Sequence, residues 1–207
     1  MTTLDLRARI PNDYFTSWEL NALLDDYSNR AAKVSSLLKK REIVQIRRGL
    51  YTFTAPLRRD MLSAGALANQ IYSPSYVSAD FALSYYGMIP ETPAVVTSMT
   101  MGRSRRFTTE FGIFSYRYCR SRAYPVGMTA VGEGQNRFLI ATPEKALFDK
   151  IASDSRFDGA EPESYLLEDL RLDEDTLRRL NRTRLKELAP FMTGRLRPVY
   201  NYLEGLR

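Results

Sequence analysis

The side chains that could perform acid–base or metal chemistry in this chain are mostly carboxylates. The sequence contains no histidine and a single cysteine, Cys119. Histidine is the commonest general base and a common metal ligand, so its absence excludes Ser–His–Asp and Cys–His catalysis. One cysteine forms neither an internal disulfide nor a zinc cluster. Any catalysis would therefore rest on carboxylates, lysine, tyrosine or serine.

Four acidic residues are candidates for a Mg²⁺-dependent nuclease or another carboxylate-based hydrolase that acts on nucleic acid. Mg²⁺ prefers oxygen ligands, which carboxylates supply without histidine. The four are Asp80, Glu91, Glu110 and Glu144. Because their spacing matches no metal-binding motif, this enzyme is kept only as the alternative to a non-enzymatic function. We predict no catalytic residue, no bound metal and no cofactor.

One motif with acid and base side chains has a structural interpretation. Pro143 followed by Glu144 is typical of a helix start, where an acid is favoured by the helix dipole. Lys145 and Asp149 are four residues apart, so they are expected to pair on one face of that helix. The motif therefore predicts a helix that begins near residue 143 and continues to about residue 152.

A second motif, residues 78–87, also has a structural interpretation. Ser78 predicts the N-cap of a helix over residues 79–86, and Gly87 predicts its end. The inner face of this helix is expected to carry Phe81, Ala82 and Tyr85.

Positive charge is concentrated in residues 28–59. This segment has nine Lys or Arg residues and one acid, Glu42, for a net charge of +8, whereas the whole chain nets +6. Such a concentration predicts a surface for a polyanion, with DNA as the first candidate.

Two predicted helices in and before this basic segment form a helix-turn-helix. Residues 14–26 show helical spacing of leucines and a capping box from Thr16 to Glu19. The next helix runs from Arg30 to about Arg41. Its inner face is expected to carry Ala31, Val34, Leu37 and Leu38. Its outer face is expected to carry Asn29, Ala32, Lys33, Ser36 and Lys40, with Lys39 at the edge. That outer face is either a solvated surface or the side that enters a major groove.

A predicted hairpin follows the basic helix. Residues 43–47 and 50–53 are rich in β-forming side chains, and Arg47 and Arg48 lie near the turn. A hairpin directly after a basic helix is the order of a winged helix, and the alternative is a plain hairpin that closes a small core. The predicted DNA-binding residues are Asn29, Arg30, Lys33, Ser36, Lys39, Lys40, Arg47, Arg48 and Tyr51.

These elements predict an α+β protein with two domains. Residues 1–57 form an N-terminal winged helix-turn-helix, and residues 58–207 form a mixed α/β domain with a helical tail. A further helix is predicted over residues 61–72. Further strands are predicted at residues 76–77, 94–101, 107–118 (a hairpin), 124–131 and 137–141. Within the tail, residues 154–175 net −7 and residues 176–207 net +6, so the tail helices are expected to pair with one another or with another chain.

A second basic surface is predicted around Arg103, Arg105 and Arg106. It continues on the next strand with Arg117, Arg120 and Arg122. This surface has three open interpretations: a second DNA contact, a surface that faces a protein partner, or a solvated loop.

No apolar run approaches the roughly 18–20 residues that span a bilayer, and the N-terminus lacks the pattern of a signal peptide. We therefore expect a cytoplasmic protein that does not contact a membrane.

Three stretches resemble the AbiEi-type abortive-infection antitoxins, a family of winged-helix transcriptional regulators in type IV toxin–antitoxin systems. Their order and spacing agree over about residues 15–150. The stretches are Arg47-Arg48-Gly49-Leu50-Tyr51, the run from Tyr76 to Glu91 (YVSADFALSYYGMIPE), and the run from Ile140 to Asp149 (IATPEKALFD).

The resemblance implies a winged-helix domain that binds double-stranded DNA at the promoter of its own operon. It also implies an α/β domain with antitoxin activity, in phage defence, against a nucleotidyltransferase-like toxin. Operators with inverted repeats would favour a homodimer on DNA.

Overall fold

Two sheets organise the chain in the computed structural model, which describes residues 2–119 and 122–206. The protein is a mixed α/β protein, with helices packed against a mixed sheet.

The first sheet has three antiparallel strands in the order β1-β3-β2. Its strands are Tyr14–Thr16 (β1), Ile43–Arg47 (β2) and Leu50–Phe53 (β3), and its helices are Thr3–Arg9 (α1), Ser17–Leu23 (α2) and Arg30–Lys39 (α3). A core of their inward residues, including Leu6, Phe15, Leu37 and Phe53, is almost fully buried between helices and sheet.

The second sheet has six strands in the order β6-β7-β5-β4-β9-β8, with parallel pairing of β5 to β7 and of β4 to β9. Its strands are Ser75–Val77 (β4), Val95–Thr100 (β5), Arg105–Thr109 (β6), Gly112–Tyr118 (β7), Met128–Val131 (β8) and Phe138–Ala141 (β9). The helices that contact it are Ala64–Ile71 (α4), Ala79–Tyr85 (α5) and Pro143–Ser153 (α6). A larger core fills the space between these layers and the tail.

The tail after α6 is helical. Its helices are Pro162–Ser164 (α7), which continues into a π-helical segment Tyr165–Asp169, then Glu174–Arg178 (α8), Arg182–Leu188 (α9) and Arg197–Gly205 (α10). Leucines such as Leu166, Leu185 and Leu203 join the larger core, so the tail packs onto the rest of the chain. No helix of the described residues is long and apolar enough to cross a membrane.

Asp13 makes several of the contacts that join the three-stranded sheet to the six-stranded sheet and its helices, which together are called the larger unit below. Its side chain is fully buried, lies 3.1 Å from the Arg7 guanidinium, and accepts from the backbone N–H groups of Arg59 and Asp60. Gln135, in a 3-10 turn of the larger unit, donates to the same carboxylate at 2.7 Å. Burial raises the pKa of Asp13, but these donors outweigh burial and hold the pKa below its usual value. The predicted domain boundary at residue 57 therefore lies close in sequence to Arg59 and Asp60, whose hydrogen bonds to Asp13 join the two sides of that boundary.

Several predicted elements are confirmed with shifted ends, and three expectations are wrong. The strands at 43–47 and 50–53 and the helix from Pro143 occur as predicted. Residues 14–16 form a strand, so the predicted helix over 14–26 begins only at Ser17. Ser78 precedes α5 but its hydroxyl does not cap it. Tyr85, predicted to face inward, is 51% exposed.

Candidate nucleic-acid interface

Helix α3 begins and ends with clear local signals. The Asn29 side chain caps its start by accepting from the N–H of Ala32 at 2.9 Å. At its end, Arg41 adopts a left-handed φ of +53°, and the N–H of Glu42 donates to the carbonyl of Leu37 at 2.9 Å. This is the Schellman arrangement, which turns the chain from the helix directly into β2.

The outward face of α3 is made mostly of small residues. Ala31, Ala32, Ser35 and Lys39 are exposed, whereas Leu37 faces the core. Small side chains allow a helix backbone to approach a surface closely, and hydroxyl and methyl groups can contact base edges in a major groove. The geometry therefore permits α3 to lie in a groove.

The predicted outward face was rotated relative to the observed one. Lys33 and Ser36 are half-buried, and the Lys33 ammonium lies 5.3 Å from the ring centroid of Tyr27. Ala31 was expected to face inward and is exposed. The prediction missed the exposure of Ser35. The sequence indicated that exposure, because Ser35 lies on the side of the helix opposite the apolar Leu37.

The cations around α3 differ in their availability. Lys39 and Lys40 are exposed at the C-terminal end of the helix, and Arg41 follows them. Arg30, at the other end, is exposed but paired with Asp25 at 2.7 Å. A cationic cluster therefore lies at one end of the helix.

The two arginines of the hairpin turn have different surroundings. Arg48 is exposed, and Gly49 completes the turn with a φ of +82°. Arg47 is half-buried and donates to the carbonyl of Arg48 at 2.9 Å. Burial raises the pKa of Tyr116 on β7, and the nearby positive charge of Arg47 opposes that rise. Arg47 is therefore the less accessible of the two, and Arg48 is the hairpin cation that a ligand can reach.

Tyr51, predicted to contact DNA, is only 9% exposed. Its ring stacks on Phe15 with 6.2 Å between the ring centroids. Tyr51 and Phe53 face the core formed with α2 and α3, so little of the Tyr51 side chain is available to a ligand.

Arg58 and Arg59 belong to the basic segment but support the fold. Arg58 donates to the carbonyl of Phe53 at 2.8 Å, and Arg59 donates to the carbonyl of Pro11 at 2.7 Å. The charge excess of residues 28–59 is therefore only partly available to a ligand.

A shallow groove of about 520 Å³ lies between α2 and α3. It is lined by polar Ser17, Asn21, Arg30 and Ser35, with Tyr51 and apolar side chains beneath them. The N–H of Ser17 donates to the carbonyl of Gly49 at 2.9 Å, so the hairpin turn adjoins the same groove. Helix α3, the groove and the hairpin turn thus form one continuous region.

The predicted second basic surface is divided between two faces of the larger sheet. Arg105 and Arg106 are consecutive in β6, so their side chains point to opposite faces. Arg105 lies 5.7 Å from the ring centroid of Tyr72, whereas Arg106 lines a cleft with Arg117. Arg103 is exposed in the preceding loop, and Arg120 lies outside the described residues.

The residues that most resemble catalytic groups are buried together. They come from β4, from the residue before α5, and from α6. Asp149 accepts from Tyr76 Oη at 2.9 Å and from Ser78 Oγ at 2.8 Å, and lies 3.1 Å from Lys145 Nζ. Lys145 also donates to the carbonyl of Ala123 at 2.8 Å. Burial raises the pKa of Asp149, although Lys145, Ser78 and Tyr76 oppose that rise.

This buried network has almost no contact with solvent. Tyr76, Ser78 and Lys145 have no exposed surface, and Asp149 has 1%. The expected pairing of Lys145 with Asp149 is confirmed, but the pair lies in the core and connects α6 to β4. Gly127 contributes to the tight packing, because a Cβ there would lie 2.8 Å from the Cβ of Lys145.

Of the four candidate metal carboxylates, Asp80 and Glu91 line the same cleft, whereas Glu110 and Glu144 lie elsewhere. Asp80 pairs with Lys150, and Glu91 pairs with Arg171. Glu110 is exposed beside the β6–β7 turn, while Glu144 is buried and accepts from the N–H of Asn181 at 2.7 Å. Among the residues that the structure describes, no group of three or more Asp, Glu or Cys side chains could hold a metal ion.

Comparison of the chain with models of known protein families gives no match, and comparison with curated proteins gives none either.

Proposed function

We propose that residues 1–57 form a winged helix that binds double-stranded DNA. We further propose that the protein represses its own operon and is the antitoxin of a type IV toxin–antitoxin system. The order of elements supports the first part: α1-β1-α2-α3-β2-β3, with β1 added to the hairpin in the sheet order β1-β3-β2.

The exposed side of α3 is the observation that carries the DNA-binding proposal. It presents Ala31, Ala32 and Ser35 without an acidic side chain, and Lys39 and Lys40 follow at its end. Small residues suit close approach to base edges, and the lysines suit phosphates. Arg48 on the adjoining hairpin adds a further phosphate contact.

The number of accessible cations sets the expected salt dependence. Arg47, Arg58 and Arg59 have structural contacts, which leaves about four to six cations per protein chain for phosphates. At about −0.9 per contact, the slope of log affinity against log salt lies between roughly −3.5 and −5.5.

Fluorescence anisotropy with the protein's own upstream DNA tests this proposal. Replacing Lys39 and Lys40 together by alanine is expected to weaken binding to all sequences and make the salt slope shallower by about 2. Replacing Ser35 is expected to reduce specific binding more than nonspecific binding. Lys186→Ala, an exposed lysine of the tail, is the matched control and leaves affinity unchanged. Absence of binding at low salt, or equal affinity of the double variant, contradicts the proposal.

The antitoxin role is supported by the family resemblance of the stretches at 47–51, 76–91 and 140–149. It is tested with the neighbouring reading frame, which is expected to encode a nucleotidyltransferase-like protein. Expression of that protein alone is expected to arrest growth, and co-expression of this chain is expected to restore it. Failure of rescue would contradict the antitoxin role while leaving DNA binding intact.

A further inference from the structure

A charged cleft of about 490 Å³ lies on the larger sheet, away from the groove between α2 and α3. Arg106, Ser115 and Thr97 are register partners on β6, β7 and β5, and they form a row across its floor. Arg117 lies two residues after Ser115 on β7 and therefore faces the same side. The volume lies within the usual range for sites that bind small molecules.

One end of the cleft is cationic. Arg106 and Arg117 are diagonal neighbours on β6 and β7, close enough for long side chains to meet. Neither makes an ion pair with any described residue, and Arg117 donates only to the neutral Ser153 Oγ, at 2.8 Å. Two adjacent like charges without an acidic partner repel each other, and a bound dianion would remove that repulsion.

A phosphate group suits this end better than a carboxylate does. Guanidinium groups bind phosphate oxygens in a bidentate manner, and two of them match a group with two negative charges. The hydroxyls of Ser115 and Thr97 lie on the same floor and supply neutral donors. Lys150 also lines the cleft, although Asp80 at 2.6 Å already balances its charge.

The rest of the cleft is apolar and acidic except for Arg156, whose charge is already balanced by Asp154. Leu83, Ile89 and Pro93 form an apolar wall, and exposed Glu91 and Asp169 lie along the lining as well. An apolar wall favours a flat ring, and carboxylates accept hydrogen bonds from sugar hydroxyls. The lining therefore combines groups for a phosphate, a ring and a sugar.

We propose that this cleft binds a nucleoside monophosphate, with the phosphate on Arg106 and Arg117 and the base against the apolar wall. The site belongs to the larger unit, so it is independent of DNA binding by α3 and of the antitoxin role.

Isothermal titration calorimetry with AMP, GMP, CMP and UMP, each in a buffer free of phosphate, tests the proposal. At least one nucleotide is expected to bind with a stoichiometry of one per chain, and more tightly than inorganic phosphate or the matching nucleoside. Arg106→Ala is expected to weaken that binding about tenfold or more, because a charged hydrogen-bond donor is lost. Arg106 makes no side-chain hydrogen bond or ion pair with the described residues, so this variant is expected to fold, as circular dichroism would verify.

Two matched variants make the result specific. Arg103→Ala removes an exposed arginine of the preceding loop that does not line the cleft, and it is expected to leave nucleotide affinity unchanged. Arg48→Ala, in the DNA-binding region, is also expected to leave it unchanged. Absence of binding by all four nucleotides overturns the proposal, as does equal affinity of Arg106→Ala. Binding of inorganic phosphate as tight as that of every nucleotide overturns the assignment of the base and sugar.

Discussion

Helix α3 and the network around Asp149 use charged side chains in opposite ways. On α3 the lysines lie at an exposed helix end beside small residues, and their charges remain available to a ligand. Around Asp149 a lysine, a tyrosine and a serine are buried, and all three contact the Asp149 carboxylate. The second set has the residue types of an active site, yet the first set is the better candidate for function. Accessibility and partners, more than residue type, distinguish the two.

The two regions are also expected to differ in how much their charged side chains affect the free energy of unfolding. A buried ion pair contributes little relative to apolar packing, but removing one partner leaves an uncompensated charge in the core. An exposed lysine contributes almost nothing to folding. Substitutions in the network should therefore change stability, and substitutions on α3 and the hairpin turn should change binding.

The largest expected effect is that of Asp149→Ala. Among the described residues, it leaves Lys145 with the carbonyl of Ala123 and the rings of Tyr76 and Phe148 but with no negative charge, and it removes the acceptor of Tyr76 and Ser78. The free energy of unfolding should fall by about 3–5 kcal/mol, as measured by urea denaturation. The double variant Lys145→Met/Asp149→Leu should recover part of that loss. A loss smaller than about 1 kcal/mol would show that the network is not required for stability.

Asp13→Asn should have the next largest effect, about 2–4 kcal/mol at pH 7, because Arg7 loses its buried partner. The folded-state pKa of Asp13 is below its usual value, so its stabilisation is present above a pH of about 4 and is lost as pH falls through the folded pKa. Urea denaturation from pH 7 down to about pH 2 should show a smaller acid-induced loss in Asp13→Asn than in the unmodified protein. Asp25→Asn, which affects the exposed pair with Arg30, is the control and should keep the original pH profile.

Tyr76→Phe should lower the free energy of unfolding by about 1–3 kcal/mol, because Asp149 loses one donor. Tyr118→Phe removes a hydroxyl from a side chain that is 60% exposed, and it should leave the urea midpoint unchanged. Equal midpoints for both variants would mean that the Tyr76 hydrogen bond does not stabilise the network.

The smallest stability effect is expected at the hairpin turn, where two adjacent arginines can be compared directly. Arg47→Ala should lower the melting temperature, because Arg47 is half-buried and donates to the carbonyl of Arg48. Arg48→Ala should leave the melting temperature unchanged and make the salt slope of DNA binding shallower by about 0.9. The reverse pattern would assign the DNA contact to Arg47.

Local signals in the sequence predicted much of the fold. The β-forming residues concentrated at 43–47 and 50–53 predicted the hairpin, and the Thr16–Glu19 capping box is present at the start of α2. The signal for α1 was overlooked: Thr2 and Asp5 form a capping box of the same kind.

Errors occurred where a distant contact decides the position of a side chain. Ser78 has the sequence context of a helix cap, but its hydroxyl donates to Asp149, which is 71 residues away in the chain. Arg47 and Arg48 are adjacent and alike in sequence, and their difference in burial follows from the folded hairpin, whose Ile46 and Leu50 join the larger core. Tyr51 was predicted to contact DNA because the sequence pattern did not show that all four residues of β3 are buried.

The contacts of Asp13 with Arg59, Asp60 and Gln135 also bear on operator architecture. Because of these hydrogen bonds, the part of the chain that carries α3 is held to the larger unit by more than a flexible linker. Under the proposed DNA binding, two copies joined through their larger units would therefore present their α3 helices at one fixed separation and one fixed rotational phase. On such a complex, a spacer lengthened by about 5 base pairs would turn one half-site to the opposite side of the duplex, whereas about 10 would restore its phase.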